Sequence, residues 1–148
     1  MSVFRAETYK AAADEHVIVA EELYNRARYV LCCYVAGLSV ECLMRAYRVL
    51  IDPEFDAKHD LKLLSAACGW MDKIPRQSVT RVTGALRDLC IRWENAHRFR
   101  SVQDYRRFLH RRGLHRGIHG DFVKEQTRQA LRAAELLVRI GEASWPPK

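Results

Sequence analysis

The sequence predicts an all-α protein, an up-and-down bundle of four long helices plus one short helix, folded as a single domain. Two patterns and one size argument lead there. No stretch alternates apolar and polar residues with the period of two that a half-buried strand needs. Several segments instead repeat apolar residues at spacings of three and four, the period of a helix with one buried face. With 148 residues, 49% of them hydrophobic and 29% charged, the chain is long enough for one core and polar enough to face water.

Ala13, Val17, Ala20 and Tyr24 predict a first helix over 5–23, and "YNRAR" interrupts it. The second helix, over 27–51, is apolar on most sides and is therefore the central one; Pro53 follows its end. Its longest apolar run, 30–44, is broken by Gly37, Ser39 and Glu41 and falls short of the roughly 20 residues of a membrane span, so a buried helix and no membrane partner are expected. A short third helix over 60–68 carries Leu61, Leu64 and Cys68 and stops at Gly69. A fourth starts at Ser78 as N-cap, with the stripe Val79, Val82, Leu86, Leu89 and Trp93. The segment 98–119 has weak periodicity and reads as a basic loop. The last helix spans 121–140 through Val123, Thr127, Ala130, Ala134 and Leu137, with Gly141 as its stop and 142–148 as a short tail.

Five cysteines, none in a Cys-x-x-Cys pair, read as reduced core thiols of a cytoplasmic protein rather than as a disulfide or zinc framework. The stretch "MSVFRAETYKAAADEH" is charged from the start, and no secretory signal is expected there.

Charge is concentrated. The window 98–119 holds seven arginines, Arg98, Arg100, Arg106, Arg107, Arg111, Arg112 and Arg116, against one acid, Asp104, so it carries +6 of the overall +7. Arginine rather than lysine is the cation used, and its planar fork suits bidentate phosphate contact. A positive stripe on an otherwise balanced domain predicts RNA or another polyanion as partner. His110, His115 and His119 stand in the same window. Their spacing fits no standard metal site and no acid or cysteine joins them, so phosphate contact is expected and no metal or cofactor.

"RWENAHRFRS", 92–101, gathers an arginine, a tryptophan, an acid, an amide and a histidine where the fourth apolar stripe ends. Three readings are open: a catalytic Arg92–His97 pair, a helix end anchored by Trp93, or a solvated basic run. Five residues on an ideal helix place Arg92 and His97 roughly 140° apart, so a shared site needs a bend between them or two copies of the chain. "ENA" supplies a bend, because asparagine competes with the helix for backbone hydrogen bonds.

Together, "YVAGLSVECLMRAY" (34–47), "HDLKLL" (59–64) and "RWENAHRFR" (92–100) resemble the HEPN family, the higher eukaryotes and prokaryotes nucleotide-binding domain. The resemblance covers most of 5–141 apart from 101–119. It implies a helical bundle that forms a homodimer. Many members are metal-independent endoribonucleases, often toxins of toxin–antitoxin pairs, with an Arg-x4-6-His motif onto which Arg92 and His97 fall. Others are catalytically silent and bind nucleic acid, nucleotide or a partner protein such as an antitoxin or a small nucleotidyltransferase. Phe99 stands where one toxin subclass carries a tyrosine; a second family pattern, Trp-x4-Arg-aromatic, is met by Trp93, Arg98 and Phe99.

Under the nuclease alternative, His97 is the acid/base on the ribose 2′-hydroxyl and the leaving oxygen, and Arg92 holds the phosphorane. Glu94 or Asn95 orients either one. Glu41, alone in the most apolar helix, needs a cation; Arg45 stands four residues on, and Arg92 is the long-range alternative. His59 reads as a helix-start residue that makes a structural hydrogen bond.

Overall fold

The computed structural model describes residues 4–54 and 60–147, without the side chains of Leu63 and Ala67; His59 lies outside them. The described residues form six α-helices and no strand: α1 (Ala6–Asn25), α2 (Tyr29–Ile51), α3 (Leu61–Ala67), α4 (Val79–Cys90), α5 (Val102–Arg111) and α6 (Phe122–Ala143). Short 3-10 turns cover Trp70–Asp72, Arg76–Ser78 and Asn95–Phe99.

The helix α2 is the centre. α1 lies along it through fully buried Ala13 and Ala20, whose small side chains let the two backbones approach closely. α6 packs on its other flank and also meets α1 and α4. The 23-residue α2 is longer than its uninterrupted apolar run and, by length and composition alone, could cross a bilayer. Here it buries Cys32, Cys33, Ala36, Val40, Leu43, Met44 and Tyr47 against its neighbours.

Two close approaches lock α2 in place. A Cβ on Gly37 would lie 2.1 Å from the Trp93 ring, so the indole rests on bare backbone and its Nε1 donates to the Tyr34 carbonyl at 3.0 Å. A Cβ on Gly141 would lie 2.5 Å from Leu43, and the Tyr47 hydroxyl donates to the Gly141 carbonyl at 2.6 Å. Gly141 is therefore not the stop expected from sequence. It is buried within α6, which runs on to Ala143 because the glycine serves contact with α2. The tail is packed as well, with Trp145 edge-on to Tyr47 at 5.2 Å. Because an indole cannot yield as a flexible chain end does, Gly37→Ala should cost about 3 kcal/mol, read as an earlier denaturant midpoint. An unchanged midpoint would show that Trp93 does not sit there.

Another correction concerns 98–119. This segment is not a loop throughout: α5 occupies Val102–Arg111. Ser101 caps it, its Oγ accepting from the Asp104 backbone N–H at 3.2 Å. Tyr105, Phe108 and Leu109 form a stripe at spacings of three and one, buried against the body. At the start of α4, Ser78 gives no side-chain cap; a 3-10 turn leads into the helix instead.

Candidate functional site

The turn that follows α4 brings Arg92 and His97 together, but not as a pair facing a substrate. Backbone N–H groups of Arg92 and Trp93 both donate to the Leu89 carbonyl and close the helix. Glu94 is extended (φ −138, ψ 146), and Asn95–Phe99 then winds into a 3-10 turn. The bend thus falls within the "ENA" stretch that the sequence suggested.

Arg92 is 5% exposed and points into the body. Its Nε donates to Gln126 Oε1 at 2.6 Å, its Nη1 to the Asp88 carbonyl at 2.7 Å, and its Nη2 to Gln129 Oε1. Gln126 passes the chain on, its Nε2 donating to the Leu114 carbonyl at 2.8 Å. The guanidinium therefore ties the end of α4 to α6 and to the segment after α5. Its charge is met by carbonyl dipoles and a loose contact with the Asp88 carboxylate at 3.9 Å.

His97 is 1% exposed, boxed edge-on by Tyr105 at 5.1 Å and Phe108 at 4.7 Å. Its Nε2 lies 2.7 Å from the Arg92 carbonyl oxygen and its Nδ1 lies 2.9 Å from Arg100 Nη1. A carbonyl only accepts and a guanidinium only donates, so the ring is neutral with its proton on Nε2. Burial pushes its pKa down from 6.5 to about 4; the hydrogen bond to the Arg92 carbonyl opposes this, and the nearby Arg100 charge assists it. A histidine that is neutral when folded and charges near 6.5 when unfolded adds stability that is whole above pH 6.5 and lost as pH falls toward 4. At ~1.4 kcal/mol per pH unit the loss is about 3 kcal/mol. Urea titrations between pH 7 and 4 should show this slope and should lose most of it in His97→Gln; an equal slope in the variant would place the titration elsewhere.

Glu94 is the clamp of the junction. Arg100 Nη2 lies 2.9 Å from its Oε2 and Arg112 Nη2 lies 2.8 Å from its Oε1. Both guanidiniums also lie over the Phe108 ring, and Arg112 donates to the Ile91 carbonyl at 3.1 Å. These two arginines, counted from sequence among the phosphate contacts, hold α5 to the turn, although Arg112 stays exposed. Asn95 is half-buried and lines a cleft of about 220 Å³ with Lys62 and Cys90. Glu41 pairs with Arg45 at 3.5 Å, the local partner rather than Arg92. Desolvation holds the Cys32 and Cys33 thiols up near 12 and the Cys42 thiol near 11, so none is a nucleophile.

What remains on the surface is a set of cations. Arg98, Arg106, Arg107, Arg111 and Arg116 are all exposed. Arg106, Arg107 and Arg111 share the outer face of α5, opposite the Tyr105–Leu109 stripe. Arg107 makes only an open contact to Asp104 at 3.6 Å, Arg106 lies over Phe122, and Arg98 lies over Phe99. His110 and His115 stack on one another at 3.8 Å with rings 9° apart, close to this face, and His119 is exposed beyond them. Desolvation and the adjoining His110 and Arg116 hold the His115 pKa below the ordinary histidine value.

Sequence reasoning missed Gln126, Gln129, Tyr105 and Phe108. Gln126 did leave a signal: it stands three residues after Val123 and four before Ala130, a long polar side chain on an apolar stripe, the position from which a buried cation is answered. Fold and site define an all-α domain with a buried arginine–histidine junction beneath a basic helix face. Compared with family models, curated proteins and solved structures, the chain matches none of them.

Proposed function

We propose that the chain is a HEPN-like module that binds RNA through the outer face of α5 and does not itself cleave it. In this reading α1, α2, α4 and α6 are the four long helices of the bundle. The observation that carries it is the division of the arginines. Arg92 is buried, and half-buried Arg100 and exposed Arg112 are tied to Glu94, while Arg106, Arg107 and Arg111 stand on the outer face of α5. Side chains that build the fold are thereby separated from side chains available to phosphates. The ribonuclease alternative requires the 3-10 turn to open, since an imidazole that donates to a carbonyl and is boxed by two aromatic rings reaches no ribose. Exposed Ile18 and Val19 on α1 support assembly with a second copy or with an antitoxin or nucleotidyltransferase partner.

Fluorescence anisotropy with a labelled single-stranded RNA at three salt concentrations tests the reading. Affinity should fall with a log–log slope of about 0.7 per phosphate neutralised, and the same RNA should emerge uncut on a denaturing gel with or without EDTA. No binding at 50 mM salt would remove the RNA reading. Cleavage to cyclic phosphate ends that is lost in His97→Ala while the variant stays folded at the assay temperature would restore the nuclease.

A further inference from the structure

Phe99 is 77% exposed, the most exposed of the large hydrophobic side chains among the described residues. Its backbone is nevertheless fixed. His97, two residues before it, is buried in the aromatic box, and Arg100, immediately after it, is bound to Glu94 and to His97. The Arg98 guanidinium lies 4.6 Å from the ring centroid. Val102, 58% exposed, stands three residues on, at the start of the helix whose outer face carries Arg106, Arg107 and Arg111. An aromatic face presented to water from a pinned turn, with a cation over it and a phosphate-binding face beginning beside it, is the combination that single-strand binders use: bases stack on rings while arginines track the backbone.

We propose that Phe99 is a stacking platform for one unpaired base, so that the α5 face selects single-stranded over double-stranded RNA. This rests on the RNA-binding reading above and names the form of RNA it takes. A base paired within a duplex has both faces covered by its neighbours and has none to offer the ring. The charge beside the ring favours a nucleic acid over an apolar protein surface, because a partner covering Phe99 would also have to answer Arg98, whose guanidinium lies over it.

The test uses the full chain, a labelled single-stranded 12-mer and the same sequence as a blunt duplex. Phe99→Ala should weaken single-strand binding about tenfold, leave duplex binding unchanged and leave the salt slope unchanged, because stacking releases no counterions. Phe99→Trp should keep the affinity, and its added emission should be quenched by the single strand but not by the duplex. Circular dichroism should not change, since the side chain is exposed. Equal affinities of Phe99→Ala and wild type for the single strand would overturn the proposal while leaving the basic face in place, and so would equal loss on strand and duplex. Failure of wild type to bind either RNA would instead remove the reading beneath it.

Discussion

Arg92→Ala and His97→Ala should each lower the melting temperature by roughly 10 °C, whatever they do to any activity. The Arg92 guanidinium makes three hydrogen bonds inside the body, and its removal leaves Gln126, itself 4% exposed, with an unanswered buried oxygen. Bonds to a charged donor contribute about 1.5–3 kcal/mol each, offset in part by relief of the desolvation of the cation, so a net loss of about 3 kcal/mol is expected. Truncating His97 empties the space between Tyr105 and Phe108 and strips the Arg92 carbonyl of its 2.7 Å donor. Cavity and lost hydrogen bond together again come to about 3 kcal/mol. In a domain of this size each kcal/mol shifts the midpoint by about 2–4 °C. Differential scanning calorimetry reads the result. Variants that melt within about 2 °C of wild type would mean that the junction is not structural, and loss of RNA cleavage in such variants would make it catalytic.

The long helices were legible because a buried face writes itself into the sequence at spacings of three and four, as in Val82, Leu86 and Leu89 on α4 or Val123, Ala130 and Leu137 on α6. α5 was not, although it carries the same signature in Tyr105, Phe108 and Leu109 and a Ser-x-x-Asp start at Ser101. With only ten residues, and with Arg106, Arg107, His110 and Arg111 on its exposed positions, its charge pattern outweighed its apolar one. The role of His97 was hidden for a different reason. Its partner is a backbone carbonyl, and no residue name records where a carbonyl points once the helix has ended. The contact of Gly37 with Trp93 joins positions far apart in the chain; a glycine in a helix announces a close approach without saying to what. Position in the chain was enough to single out Arg92 and His97, whereas only the fold shows that they face inward.

Replacing Arg106, Arg107 and Arg111 together by alanine should flatten the salt dependence of RNA binding by about 2, since each phosphate contact on a single strand contributes about 0.7 to the slope. Electrostatic binding of this kind vanishes toward 1 M salt, so a slope lower by 2 corresponds to an affinity lower by on the order of 10² at 50 mM, narrowing as salt rises. The loss should be the same for all sequences, because phosphate contacts position a nucleic acid without reading it. Folding should survive, since these three side chains lie on the outer face of α5 and the buried stripe is untouched. Arg112→Ala is the informative control. It sits one residue beyond the helix and adds the same formal charge, but its guanidinium is committed to Glu94 and the Ile91 carbonyl. It should lower the melting temperature and leave the slope nearly as in wild type. If instead Arg112→Ala flattens the slope as much as any member of the triple while the protein melts normally, then Glu94 releases it to the phosphates, and the division of the arginines between fold and surface is wrong.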